Sequence, residues 1–544
     1  MGDGGLPVSS AALRAPGKLR TFSVRRALGA LALLPLGACA PGSDACERCD
    51  TLTIAALGEP DHLLPPFVWQ TVGRDIGDLV FERLARLEPG RSPLDPEAYR
   101  LGLAERWERI DSLGLRFHLR PEARWPDGTR VTASDVVFSF EAYQDSALDA
   151  PSRSSLADLR ARAEDSGTVA IRFDSARPDQ LYDATYHVRV FRRALWDSIP
   201  RADWGAQSGL DGLEGSGPYR VAEWRRGEWL ALEARDGEAP LRRIVWRFAR
   251  DPDAVANLLL SGEADLLETM AGPGRRSEFE RAEHLRLVPY PSSVYGFLGF
   301  NLAGRDPWTD VRVRRALREA LDRATLARAV LGEGTLVPEG PLSAQLWLWE
   351  NPAAGEPDSA AAAALLDAAG WSAGPDGRRA AGGRRLTIDI LVPATSAARR
   401  DLALAIQERW ARLGITATLT TVDFPVFQER LAQGRFQTYI GAWLDEPHPR
   451  SLRDQWTRDG WPALNYGHYA NPRFDSAFAA AVSTPDTTAA RRAWRAALAI
   501  LDDDAPAIWL YTPANVAVVN RRLAVTEFEP FAWLDDLAAW RMLP

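Results

Sequence analysis

The sequence predicts an α/β protein divided into more than one lobe, and three observations carry the expectation. A chain of 544 residues with 46% apolar and 25% charged side chains has the composition of a soluble globular protein. Single cores stop growing near about 250–300 residues, so a chain of this length has to split. Residues 386–392, 397–413 and 415–422 spell an apolar strand, a helix and a strand, a crossover that leaves its two strands parallel. Residues 107–111 and 115–119 alternate instead: Leu115, Phe117 and Leu119 point one way and Arg116, His118 and Arg120 the other, as in a hairpin with one wet face. The same composition excludes collagen-like, wholly disordered and multi-span membrane chains.

The first element in chain order is a targeting segment. Residues 1–26 carry a basic cluster ending in Arg25-Arg26, and residues 27–38 form an apolar run too short to span a bilayer but of the right length for a signal peptide. Leu36-Gly37-Ala38-Cys39 closes it and resembles the bacterial lipobox, which implies a signal peptide over 1–38 and a diacylated Cys39 as first residue of the mature chain. Two acyl chains anchor stably, at about 0.8 kcal/mol per buried methylene. Residues 39–50 read as a tether in which Cys46 and Cys49 can form a small disulfide loop.

The folded part starts with a strand at 52–55, the turn Gly58-Glu59-Pro60-Asp61 and an amphipathic helix over 75–84. Ser112-Leu113-Gly114 turns the hairpin, and Thr132 with Asp135 reads as a capping box opening a helix over 133–143. Residues 144–170 are polar and weakly patterned. Gly215-Ser216-Gly217-Pro218 breaks the chain before strands at 219–224, 230–234 and 244–248 and a helix over 254–261. The composition changes again near Pro291. A single helix is expected over 311–331, with Asp310 at its start, apolar Val313, Leu317, Leu321, Ala324, Ala327 and Val330 on one face, and Gly332 past its end. After the crossover, a short helix over 425–433 leads to a third apolar strand at 436–443. Open α/β sheets bind ligands beyond the carboxyl ends of their strands, which is where Leu444-Asp445-Glu446-Pro447 falls.

Charge and residue counts exclude several chemistries. The chain carries a net −8, and removal of residues 1–38 makes it more acidic still, which opposes phosphate-driven nucleic-acid binding. Lys18 is the only lysine and lies inside the segment to be removed, so no Walker A clamp and no Schiff base is available to the mature protein. Gly370-Trp371-Ser372-Ala373-Gly374 matches the nucleophile-elbow pattern, but an alanine-rich helix precedes Ser372 where a serine hydrolase needs a strand. None of His62, His118, His187, His284, His448 and His468 forms an i,i+4 pair or an HExxH motif; only His448 and His468 fall near the expected binding position.

A set of ordered motifs then resembles a known family. Arg116-Phe117-His118-Leu119-Arg120-Pro121, Trp125-Pro126-Asp127-Gly128-Thr129 and Thr132-Ala133-Ser134-Asp135-Val136-Val137-Phe138-Ser139 are similar to the signature block of the family 5 solute-binding proteins of ABC importers for peptides, dipeptides and nickel. Gly215-Ser216-Gly217-Pro218-Tyr219, Ser261-Gly262-Glu263-Ala264-Asp265, Phe300-Asn301, Asp310-Val311-Arg312-Val313-Arg314, Asp322-Arg323, Ala369-Gly370-Trp371, Leu413-Gly414-Ile415 and Asn471-Pro472-Arg473-Phe474-Asp475 continue it in order.

The resemblance implies a periplasmic-binding-protein type II fold, two lobes with a hinge plus an extra domain. Its implied division is 51–90, 213–290 and 515–544 for lobe I, 91–212 for the extra domain and 291–514 for lobe II. It implies no enzyme activity and no cofactor, only closure about a ligand in the interlobe cleft, a monomeric state, a place in the periplasm or at the cell surface, and delivery to the transmembrane subunits of a permease. Asp445 is similar to an aspartate that pairs with the α-ammonium of a bound peptide, though Glu446 and His448 stand where Tyr and Asp are common; Trp443, Asn465, Tyr466 and Tyr295 lie in segments that line the cleft in the family. A nickel chelate, haem or a sugar remains the alternative ligand.

Overall fold

A computed structural model describes residues 50–544, apart from 149, 207–211, 236, 238, 271–273, 345, 350–354, 462–463, 527, 529–530 and 532. The targeting segment, Cys39 and the pair Cys46 and Cys49 lie outside the described residues. Among the described residues no helix is long and apolar enough to cross a membrane.

The chain folds into two lobes and an extra domain. The first lobe is built on a seven-stranded sheet in the order Leu285–Pro291, Ala514–Asn520, Leu266–Leu267, Thr51–Leu57, Arg243–Ala249, Trp229–Ala234, Tyr219–Arg225. Thr51–Leu57 runs parallel to both neighbours, pairing Ile54 with Trp246 and with Leu266. Helix Thr71–Val80 packs beside this sheet, burying Ile76, Leu79 and Val80. The Gly-Ser-Gly-Pro break follows from that packing: a Cβ on Gly215 would sit 1.8 Å from the carbonyl oxygen of Val80, so only glycine passes the helix end there.

The second lobe carries a five-stranded sheet in the order Thr416–Val422, Thr387–Pro393, Thr438–Leu444, Val294–Phe300, Ala507–Tyr511. Its first three strands are parallel and formed by the expected crossover through helix Ala397–Arg412. Ser396 caps that helix by accepting the Arg399 N–H at 3.3 Å, Leu402, Ala403 and Ile406 bury its inner face, and Trp410 donates its indole N–H to the Leu317 carbonyl at 3.0 Å. Val294–Phe300 is antiparallel to both its neighbours.

Two strand pairs carry the chain between the lobes. Leu285–Pro291 pairs with Ala514–Asn520 in one sheet, and their continuations Val294–Phe300 and Ala507–Tyr511 pair in the other, so the crossings at Ser292-Ser293 and Thr512-Pro513 run side by side as the hinge. The Thr512 hydroxyl donates to the Val294 carbonyl at 2.6 Å and ties the two crossings together.

The extra domain holds a four-stranded antiparallel sheet in the order Ala104–Asp111, Gly114–Leu119, Thr168–Phe173, Leu159–Ala163, covered by helix Ala133–Gln144. The expected hairpin is present, and Asp135 closes the capping box by accepting the Thr132 N–H at 2.9 Å.

Two expectations need correction. Residues 144–170 are not featureless: Leu159–Ala163 is a strand whose Arg160 and Arg162 point outward, which hid its alternation among polar neighbours. The helix expected over 311–331 is two helices, Val311–Glu319 and Arg323–Leu331. Asp322 separates them, because its carboxylate accepts the Thr325 N–H at 3.0 Å and caps the second helix, an option that apolar periodicity does not reveal. Ser372 lies, as read, between helix Ser359–Ala368 and a small hairpin, in the exposed strand Ser372–Ala373.

Candidate functional site

Asp445 is the first residue past the carboxyl end of strand Thr438–Leu444, and its N–H donates to the Ser293 carbonyl at 2.7 Å, so the strand ends against the hinge. Its side chain is 3% exposed and accepts the Ser343 N–H at 2.5 Å. No cation pairs with it among the described residues. Burial pushes its carboxyl up to about 7; the Ser343 hydrogen bond opposes the rise and the neighbouring Glu446 adds to it.

Asp445 and Glu446 line a cavity of about 460 Å³, together with Ser292 and Ser293 of the hinge. Arg74 and Thr71 of helix Thr71–Val80 and Glu268 of the first lobe form another wall, and Tyr186, His187 and Arg189 of the extra domain a third. Two guanidiniums on these walls are already committed: Arg83 and Arg189 each reach Asp78, at 2.8 and 2.7 Å. Burial opposes the charge on Asp78, but these arginines outweigh it and hold its carboxyl well below the usual range. Arg74 forms no ion pair among the described residues; it donates to the Thr71 hydroxyl at 3.3 Å.

Next to this cavity the extra domain meets the second lobe through buried charge. Arg450 reaches Asp183 at 2.7 and 3.0 Å and also Asp179, and neither carboxylate is exposed at all. Arg177 pairs with the same two aspartates from the other side. His448 is buried beside them, accepting the Arg450 N–H on Nδ1 at 3.1 Å; burial, with Arg450 adding, pulls its pKa down to about 3, so its ring is neutral.

The residues expected at the site separate into two groups. Trp443 and Tyr466 are half-buried and stack, with ring centroids 6.2 Å apart and planes 19° from parallel, but neither is among the residues lining the cavity. Tyr295 is fully buried, its hydroxyl donating to Gln455 and accepting the Trp456 indole N–H at 3.2 Å. Asn465 is 2% exposed, and its amide closes a loop by donating to the carbonyls of Thr457 and Tyr469 at 2.9 and 2.8 Å. Tyr295 and Asn465 thus spend their polar atoms on the fold. His468 packs edge-on against Trp461, away from His448, and among the described residues no cluster of three or more His, Cys, Asp or Glu is placed to hold a metal.

Sequence reasoning missed Asp179, Asp183, Arg450 and Glu268. The i,i+4 spacing of Asp179 and Asp183 was the available sign, but the arginine that joins them is over 250 residues away and leaves no local pattern.

The sequence matches the family described as bacterial extracellular solute-binding proteins, family 5, over residues 98–462. The chain belongs to that family. Among curated relatives, the oligopeptide-binding protein AppA of Bacillus subtilis is 23% identical over 90% of this chain and 91% of its own, and its structure in complex with a nonapeptide superposes with a TM-score of 0.72. The substrate-binding protein CtaP of Listeria monocytogenes superposes with a TM-score of 0.78 at 20% identity, covering 91% of this chain and 99% of its own. NikZ of Campylobacter jejuni, in complex with Ni(L-His), gives 0.74 at 21% identity over 91% of this chain and the whole of its own. These structures share the fold, and the chain is a solute-binding component, not an enzyme.

Proposed function

We propose that this solute-binding protein closes about a short peptide, takes its free amino end at Asp445, and passes it to the transmembrane subunits of an ABC importer. The observation that carries the reading is Asp445 itself, a buried carboxyl group at a strand's carboxyl end, beside the hinge, with no cation paired to it among the described residues. An α-ammonium brought by a ligand supplies the missing charge in a site that excludes water, where a charge-assisted hydrogen bond is strongest. Trp443, two residues before Asp445, stacks with Tyr466, and this half-buried pair offers the first side chain an aromatic surface, while Tyr295 and Asn465 spend their polar atoms on the fold.

The lobe division follows the sheets. We place residues 51–90, 213–290 and 515–544 in the first lobe, 291–514 in the second and 91–212 in the extra domain; the seven-, five- and four-stranded sheets support these limits to within a residue at the hinge, while the pair Ala85–Leu87 and Tyr99–Leu101 bridges the limit at 90. The mature protein is a monomer tethered through a lipid on Cys39. Mass spectrometry of the mature amino terminus tests the tether: a chain starting at Cys39 with a diacylglyceryl mass supports it, and an unmodified amino terminus removes it.

Thermal shift of the full chain with di- to hexapeptides, their N-acetylated forms, Ni(L-His), haem and oligosaccharides tests the ligand. A ligand at about 100 times its Kd stabilises by about 2.7 kcal/mol. Shifts with free-amino peptides that N-acetylation abolishes support the reading, and shifts confined to the other ligands overturn it.

A further inference from the structure

A second cavity, of about 410 Å³, opens on the first lobe and shares Glu268 and Thr269 with the first. Its walls are mostly apolar: Leu57 at the end of strand Thr51–Leu57, Val255 and Phe279 from two flanking helices, and Trp533. Leu57 is 54% exposed among the described residues.

Two carboxylates meet the apolar walls. Asp75 accepts the Trp533 indole N–H at 2.8 Å, and Glu268 stands near enough to repel its charge. Neither forms an ion pair among the described residues. Arg275, on the far wall, is spent on Glu278 at 2.6 Å, and Arg74 acts on both carboxylates from beyond contact distance. Burial, with Glu268 adding, pushes Asp75 well up, and burial pushes Glu268 up to about 7 against the pull of Arg74. One guanidinium at a distance therefore leaves two carboxyl groups short of positive charge. Both side chains are partly buried, and a carboxylate drawn from water without a cation is costly, a cost that a ligand cation removes.

Few side chains match a mostly apolar cavity with two carboxyl groups in its lining. Lysine and arginine do, because each carries a long aliphatic stem with a cation at its tip. We propose that this second cavity is a side-chain pocket for a lysine or arginine of the captured peptide, its stem lying against Leu57, Val255 and Trp533 and its cation meeting Glu268 and Asp75. The proposal rests on the peptide reading, since the wall common to the two cavities is what lets a backbone in one send a side chain into the other.

Titration calorimetry of the full chain with an alanine tripeptide, and with lysine or norleucine replacing each alanine in turn, tests it. Norleucine keeps the stem and removes the cation. At one position lysine binds tenfold or more tightly than norleucine, and in both Glu268→Gln and Asp75→Asn that ratio falls to threefold or less. Lysine and norleucine binding alike at every position of the unaltered protein, with the alanine peptide still bound, overturns the pocket and leaves the peptide reading standing. Failure of every peptide in the series overturns both.

Discussion

Arg450 of the second lobe holds Asp183 of the extra domain with both terminal nitrogens, at 2.7 and 3.0 Å, on a carboxylate with no exposed surface. One residue belongs to the second lobe and the other to the extra domain, so any hinge opening that parts these two must break the pair. Removing one partner of a buried ion pair costs about 3–5 kcal/mol when it strands the other; Arg177 still pairs with Asp179 and Asp183, and Arg450 is a quarter exposed, so the loss lies at or below the lower end. Arg450→Ala is therefore expected to lower unfolding stability by about 3 kcal/mol or less and to enlarge the ligand-free radius of gyration in small-angle scattering. An unchanged radius means that the pair stabilises the fold without holding the lobes together.

The contrast between this pair and the crossover shows what a sequence can carry. The segment from 386 to 443 was legible because a strand, a helix and a strand follow one another with local periodicity, and the place of Asp445 followed from the end of the third strand. The Thr132–Asp135 box was legible because both partners lie within one helical turn. Arg450 and Asp183 were not, since their partnership exists only after two domains dock. Tyr295 and Asn465 show the other limit: polar side chains near a cleft look alike in sequence whether they face a ligand or close a loop, and only their hydrogen bonds to Gln455, Trp456, Thr457 and Tyr469 tell them apart.

Asp445 titrates near neutrality, and the sign of its effect can be worked out. Its carboxyl stands at about 7 in the folded protein against an ordinary 3.8, so the folded state holds the proton more tightly than the unfolded one. This group's contribution to stability therefore falls as pH rises from about 4 to 7 and is level above that. Asp445→Asn removes the slope and is expected to make the ligand-free protein more stable than the unaltered one at pH 8, measured by urea unfolding. Ligand affinity runs the other way: free-amino peptides, which need the carboxylate, should bind about tenfold more weakly for each pH unit below 7, while N-acetylated peptides show no such trend.

Asp322 sets the break between Val311–Glu319 and Arg323–Leu331 by accepting the Thr325 N–H at 3.0 Å. Loss of a capping carboxylate costs about 1 kcal/mol. Asp322→Ala should lower stability by that amount in denaturant unfolding, and Asp322→Asn or Asp322→Ser, which keep an accepting oxygen, should recover most of it. Peptide affinity should not change in any of the three, because this helix pair lies outside the cavity walls.

Tyr295 and Trp443 face each other in register across strands Val294–Phe300 and Thr438–Leu444, yet they are expected to fail differently. Tyr295→Phe keeps the ring and deletes the hydroxyl, leaving the Gln455 carbonyl and the Trp456 indole N–H without their partner in a dry core. A buried polar group stripped of its hydrogen bond costs about 1–3 kcal/mol, so stability should fall by that much with ligand affinity within twofold. Trp443→Ala removes the half-buried face that stacks on Tyr466, so it should weaken peptide binding well beyond twofold, and its stability loss should be smaller than that of a fully buried tryptophan. Calorimetric binding and unfolding measured on the same two variants separate the roles. If Tyr295→Phe weakens binding more than it destabilises the fold, then the hydroxyl turns toward the ligand when the lobes move, and its bonds to Gln455 and Trp456 belong to the ligand-free state.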